Sequence, residues 1–255
     1  MWRIIMPSPM KLVLRLVLAL AAAVPAAADE TDRLSRMLPL ARGAAVTLQV
    51  TNGQVQVSGW DRSDLSVEVV RRAPDAAGLA RMPAHIDTTA GGVSVRVVQA
   101  EEGRDAALRS DVIMRVPRDV ELREISIFEG QLQLESLGGT MTAHVDRGDV
   151  VGRNISGTIR VETGMGAIRL ERATLAPAGL IRLRTFNGDV VLGLAEQPVN
   201  ARVLALSMGG TISSDLPLAR KERWGPRWAE ATLGTGEPLI SVDVVNGNIH
   251  ITVTK

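Results

Sequence analysis

Residues Ile127 to Leu170 read IFEGQLQLESLGGTMTAHVDRGDVVGRNISGTIRVETGMGAIRL, and this stretch can be laid over itself with a shift of 18 residues. Shifted, Gly130 falls on Gly148 and Gly166, Leu132 on Val150 and Ile168, Leu137 on Ile155, Gly139 on Gly157, Thr140 on Thr158, Met141 on Ile159 and Ala143 on Val161. A fixed internal period decides architecture before any single residue does. Within each unit the apolar residues alternate, as in Leu132 and Leu134 or Ile159 and Val161. That is the period of a strand with one buried face, so each unit holds two short strands and two turns.

The turns offer two architectures. Asn187-Gly188 between alternating runs is a hairpin signal, because glycine accepts the positive φ such turns require. The opposite turn of each unit, however, carries a large apolar residue, Leu137 in SLGGT and Ile155 in NISGT. A hairpin tip points into water and has no use for one, whereas the corner of a coil directs it into a core. The sequence therefore predicts an all-β, single-stranded β-solenoid of stacked rungs of 18 to 22 residues, of open handedness.

At 255 residues the chain is long enough for a substantial core. Its N-terminus has Lys11 and Arg15, an apolar run from Leu16 to Val24, and Ala26-Ala27-Ala28 before Asp29, the grammar of a cleaved signal peptide over residues 1–28. That run is much shorter than the ~20 residues a membrane span needs. A start at Met10 would leave the leader intact. Without Arg3, Lys11 and Arg15 the mature chain holds 26 basic and 28 acidic residues, a net charge of −2. Such a balance gives no reason to expect nucleic acid or an anionic membrane as partner. Cysteine is absent, which excludes disulfides, thiolate metal sites and a cysteine nucleophile. The expected locale is the periplasm or the cell surface, with no membrane span after cleavage.

Residues 29–42 read as a cap or tether, with weak helical spacing in Leu34, Met37 and Leu38 ahead of Pro39. Residues 43–255 form the expected solenoid. AAVTLQVTNGQVQVSGW opens it around Gly53, and Arg71 to Pro83 breaks the period as a loop or short helix. The pattern resumes around Gly92 and becomes regular at Gly130, Gly148 and Gly166. Gly188 and Gly210 each lie 22 residues past the preceding anchor, which places bulging loops at Ala176 to Gly179 and at Gln197-Pro198. Gly247 lies 37 past Gly210, leaving an excess from Leu216 to Gly236.

TNGQVQVSGW near the start, RTFNGDVVLGL in the middle and LGTGEPLISVDVVNGNIHI at the end resemble the bacterial putative-adhesin domain family, over roughly Leu40 to Lys255. The resemblance implies a β-solenoid, an exported location and an adhesin-like role, and it carries over no catalytic residue. Several corners here depart from the family's Asn-Gly-Asp form, as in FEGQ, DRGD, GMGA and MGGT.

Chemistry-bearing motifs are sparse. Calcium on stacked corner carboxylates would need a column of Asp, yet the residues after the anchor glycines are Gln131, Asp149, Ala167, Asp189, Thr211 and Asn248. Neither a metal nor a cofactor is expected. Arg147-Gly148-Asp149 spells an integrin tripeptide, but the repeat register already accounts for Gly148. Asn154-Ile155-Ser156 is a formal glycosylation acceptor, with Ile155 assigned to the core. His85, His144 and His250 lack ligand spacing, and no G-x-S-x-G is present. A polysaccharide lyase or hydrolase on a β-helix is the enzyme alternative. It would need paired carboxylates, whereas Glu135, Arg153 and Glu171 at equivalent positions read as a charge ladder. Aromatics are few: the mature chain has Trp60, Phe128, Phe186, Trp224 and Trp228, and no tyrosine.

Two of those five lie in the excess segment ARKERWGPRWAEATLGTG, where Trp224 and Trp228 sit among Arg220, Lys221, Arg223 and Arg227. Tryptophan and arginine are the pair most enriched where binding energy concentrates. The segment is thus either a contact site for a partner, an envelope protein or surface glycan, or a cap over the last rungs. The expectation is a non-enzymatic interaction or scaffolding module.

Overall fold

The computed structural model describes residues 29–100, 103–221 and 226–254, so the expected leader lies outside the described residues. In chain order the elements are β1 (Glu30–Pro39), β2 (Ala45–Trp60), β3 (Asp64–Ala73), α1 (Ala76–Arg81), β4 (Ala84–Thr89), β5 (Gly92–Val97), β6 (Arg109–Pro117), β7 (Glu121–Leu137), β8 (Thr140–Arg147), β9 (Val150–Met165), β10 (Ile168–Asn187), β11 (Val190–Leu194), β12 (Ala201–Ser207), β13 (Ile212–Ser214), β14 (Ala219–Lys221), β15 (Arg227–Leu233), β16 (Leu239–Asn246) and β17 (Ile249–Val253). The chain is all-β apart from one short helix among the described residues, and the strands join in a mixed sheet.

The 18-residue period appears as parallel pairing. Val150 lies beside Leu132, Ile168 beside Val150, Val190 beside Ile168 and Ile249 beside Val190. All five side chains are fully buried, so the inward positions of successive units stack into one apolar column. A second ladder runs through the other strand of each unit, with Met141 beside Ile159, Ile159 beside Ile181, and Ile181 beside Ile240. Alternation puts charged residues on the outer face and aliphatic ones inside, which is the physical content of the repeat.

Stacking order departs from chain order at both ends. The unit β16–β17 sits between β10–β11 and β12–β13, because β16 pairs with both β10 and β12, and β17 with both β11 and β13. Likewise β2 sits between β5–β6 and β7. The 37 residues from Gly210 to Gly247 are therefore an excursion out and back. C-terminal strand β17 is interior, and the strand covered by the excess segment is β12.

Beyond the parallel stack the pairing turns antiparallel. On one margin β3 pairs with β6 and β1 with β3, on the other ladder β4 pairs with β5, and at the far end β15 pairs with β12 and β14 with β15. Glu30 to Pro39, whose spacing suggested a helical cap, is thus a strand with ten register pairs to β3. Leu34 and Leu38 pack half-buried against the core while Met37 stays exposed, and three apolar residues are too weak a pattern to resist a template strand. Gly92, read as a corner of the coil, opens β5 just after the β4–β5 hairpin turn, and a Cβ placed on it would lie 1.8 Å from the Ala45 carbonyl oxygen. The Ala176–Gly179 insertion appears as a register slip between Leu175 and Leu180 within β10. Helix α1 falls in the segment that broke the period, capped by Asp75, whose carboxylate accepts from the Gly78 amide at 2.7 Å.

One column explains the anchor glycines. A Cβ placed on Gly130 would lie 1.7 Å from the Gly53 carbonyl oxygen, on Gly148 1.6 Å from that of Gly130, on Gly166 2.0 Å from that of Gly148, and on Gly188 2.0 Å from that of Gly166. The column continues in spatial order through Gly247 and Gly210, and it starts at Ser110, whose carbonyl faces Gly53. Buried hydroxyls seal it: Thr163, Thr185 and Ser207 donate to the carbonyls of Gly148, Gly166 and Gly247 at 3.0–3.1 Å. After three of the glycines, the next residue's side chain serves the neighbouring unit. Asp149 accepts from the Ala167 amide, Asp189 from the Asn248 amide, and the Asn248 side chain from the Thr211 amide, at 2.7–3.0 Å. Acid and amide at this position thus satisfy backbone donors.

At the opposite corner Leu137, Ile155 and Ala173 are buried, as the apolar corner pattern requires. Each follows a residue in the left-handed region, Ser136 (φ 56°), Asn154 (φ 51°) and Arg172 (φ 55°). A left-handed residue reverses the local bend, and the next side chain turns inward.

Candidate interaction surface

The outer face of the ladder containing β8, β9, β10, β16, β12 and β15 changes character along the stack. At the β8 and β9 end it is polar, with His144 hydrogen-bonded to Asp146 at 2.9 Å and Glu162 facing Arg184 at 3.8 Å. Arg160 and Arg182 stand directly opposite each other on β9 and β10 and make no ion pair among the described residues. Past β10 the face keeps polar residues, Ser241, Asp243 and Glu230 among them, but one corner of it is apolar. Phe186 is 57 % exposed and Met208 59 %, with Val245 between them by register. Trp228, 42 % exposed, lies opposite Leu206 on the neighbouring strand.

Of the residues singled out in the sequence, Trp224 and Arg223 lie outside the described residues. Trp228 opens β15, and the guanidinium of Arg227 donates to the Gly210 carbonyl oxygen, tying that strand to the last anchor. The seven register pairs of β15 with β12 cover the edge with backbone, while the indole stays at the surface. Arg220 donates to the Ile212 carbonyl oxygen at 3.2 Å.

Phe128 and Phe186 occupy equivalent positions three units apart, about 14 Å at the usual strand spacing. Phe128 is half-buried with Arg104 stacked 3.8 Å from the ring centroid and Arg147 at 5.5 Å, whereas Phe186 is bare. The structure does not bring the two rings together. Arg153 pairs with Glu171 at 3.0 Å, with Glu135 next in the same register, on a solvated face. Sequence reasoning missed the Ser213–His250 contact of 2.6 Å, since 37 residues separate two residues that the inserted unit makes neighbours. No carboxylate orients that imidazole among the described residues, so the pair lacks the third member that would make serine a nucleophile. No group of three or more metal-ligating side chains occurs among the described residues. No helix there is long and apolar enough to cross a membrane.

No family profile and no curated protein matches the chain. Solved structures similar to it include a "putative cell adhesion protein" from Clostridium sporogenes, at 10 % identity and a TM-score of 0.46, covering 88 % of this chain and all of that one. A "putative adhesin" from Bacteroides fragilis follows at 12 % identity and a TM-score of 0.38, covering 88 % of this chain and 97 % of that one. A "putative lipid binding protein" from Parabacteroides distasonis aligns at 10 % identity and a TM-score of 0.28, over 89 % and 97 % of the two chains.

Proposed function

We propose that this chain is an exported, non-enzymatic β-solenoid, an adhesin-like interaction or scaffolding module of the bacterial cell envelope. Two ladders stacked in parallel, joined by a glycine corner and an apolar corner, support the coil. The leader of residues 1–28 supports export. The observation that carries the interaction role is the apolar end of the outer face, where Phe186, Met208 and Trp228 remain exposed beside Leu206. Soluble monomers rarely expose contiguous apolar surface without a use for it, and tryptophan with neighbouring arginine is typical of contact sites.

The test compares wild type with a Met208→Ser, Trp228→Ser double variant. Backbone pairing of β15 with β12 does not depend on either side chain, so the variant keeps its melting point. It loses retention on an envelope fraction from the producing cell. Unchanged retention, or a mature protein that keeps residues 1–28 and stays in the cytoplasm, refutes the proposal.

A further inference from the structure

A second site lies at the other end of the molecule, away from the apolar face. Loops β1–β2, β2–β3 and β6–β7 converge on a cavity of about 660 Å³. That lies within the ~300–1,000 Å³ typical of small-molecule sites. Binding sites concentrate on loops held by a rigid scaffold, and here three loops far apart in sequence meet on one.

Its walls are built from paired and unpaired groups. Trp60 is fixed by its indole N–H, which donates to the Asp64 carbonyl oxygen at 2.9 Å. One face of the ring is taken by the Arg62 guanidinium, 4.8 Å from the centroid and itself held by the Asp64 carboxylate at 2.6 and 3.0 Å. Arg118 is held by Asp61 at 2.7 Å. Two lining groups of opposite charge have no such partner among the described residues: Arg42, on the β1–β2 loop, and Asp119, on the β6–β7 loop.

We infer that this cavity binds an anionic sugar unit, a reading that deepens the proposed interaction role by naming a ligand class. Such a ligand carries the three things the walls ask for. Its anion suits Arg42, since guanidinium forms paired, charge-assisted bonds to carboxylate or phosphate. Its hydroxyls are donors for Asp119, which can only accept. Its C–H face suits the apolar part of the lining, to which Trp60 contributes. An amino acid zwitterion also has both charges, but the cation position over the indole is already filled by Arg62, and the volume exceeds what so small a molecule would fill.

The mature chain, residues 29–255, is titrated by calorimetry with D-glucuronate, glucose 6-phosphate, D-glucose and L-alanine. Both anionic sugars bind saturably at millimolar concentration, at least ~10-fold more tightly than glucose, as one charge-assisted contact implies. A preference between the two identifies the anion as carboxylate or phosphate. Arg42→Ala abolishes the advantage over glucose, and Asp119→Asn weakens all three sugars alike. Both positions are exposed, so melting points are unchanged. No sugar binding, glucuronate binding indifferent to Arg42→Ala, or alanine binding as tightly as the sugars overturns the site. Any of these results with envelope retention intact overturns the sugar site alone. Unchanged retention of the Met208→Ser, Trp228→Ser variant beside intact sugar binding overturns only the role of the apolar face.

Discussion

Gly148→Ala, set against Gly43→Ala, isolates what the glycine column does. Both glycines have positive φ, 142° and 74°, but nothing lies within 4 Å of a Cβ on Gly43, whereas a Cβ on Gly148 would sit 1.6 Å from the Gly130 carbonyl oxygen. Ordinary contact needs roughly 3.5 Å, so two strands spaced about 4.8 Å apart would have to part by about 2 Å. Parting them breaks the Leu132 amide to Asp149 carbonyl bond of 3.0 Å, and moving Gly148 the other way compresses its own bond to the Met165 carbonyl at 2.7 Å. Leaving such a group unpaired costs about 1–3 kcal/mol, and the backbone conformation about 1–3 kcal/mol more for a residue with a Cβ. Gly148→Ala is therefore expected to lose about 4 kcal/mol, a large share of the roughly 5–15 kcal/mol of a folded domain. Gly43→Ala carries only the φ penalty, offset by a stiffer unfolded chain, and is expected to lose about 1 kcal/mol. Urea unfolding followed by far-ultraviolet circular dichroism, with equal m-values, gives both numbers. Losses within 1 kcal/mol of each other would refute the column as a steric requirement.

Ile155 is fully buried at the apolar corner, so Ile155→Asp forfeits about 3 kcal/mol of transfer energy and buries a carboxyl without a partner; a urea midpoint near zero is expected. Arg153→Asp, two residues away on the solvated face, loses an exposed ion pair with Glu171 and should cost under about 1 kcal/mol in the same melt. Arg160 faces Arg182 across the ladder, and Arg160→Glu should raise stability by a few tenths of a kcal/mol, an increment that disappears in molar salt. Hydrogen bonding and charge from Arg118 hold the Asp61 carboxyl below the usual carboxylate range. A carboxyl lowered in the folded state contributes stability above its unfolded pKa and loses it as pH falls through the folded value. The melting difference between wild type and Asp61→Asn should accordingly be small at neutral pH, because the pair is exposed, begin to decline as pH falls below about 4, and vanish only below the lowered folded value.

What the sequence makes legible is what packing demands of each unit separately. Gly130, Gly148 and Gly166 recur because each must admit a neighbour's carbonyl, and Leu137 and Ile155 recur because each fills the same corner. Left-handed Ser136, Asn154 and Arg172 share a conformation and no chemistry, so nothing in their identities marks them. Arg42, Trp60 and Asp119 meet only because three loops converge, and no spacing along the chain records that.

Stacking order is hidden for a related reason. Units built to one register offer interchangeable edges, so local pattern fixes how a unit pairs and leaves open which unit it pairs with. What lets the path reverse its direction is slack in the connection. Between Gly130 and Gly188 the anchors are 18 to 22 residues apart and the stack follows the chain, whereas the 22 residues from Gly188 to Gly210 pass over the place that Gly247 takes. At the two long gaps, the 57 residues from Gly53 to Ser110 and the 37 from Gly210 to Gly247, the chain runs against the direction that the stack takes from Gly130 to Gly188. Each gap spends its surplus on antiparallel strands that lie outside the stack, β3 and β4 at one end, β14 and β15 at the other. A chain that runs past its end, lays down an antiparallel margin and returns to fill the unit it skipped leaves a covered edge where a simple stack would leave an open one. Irregular spacing in this repeat is thus the trace of edge protection, and β15, which carries Trp228, is placed at the surface by that same return path.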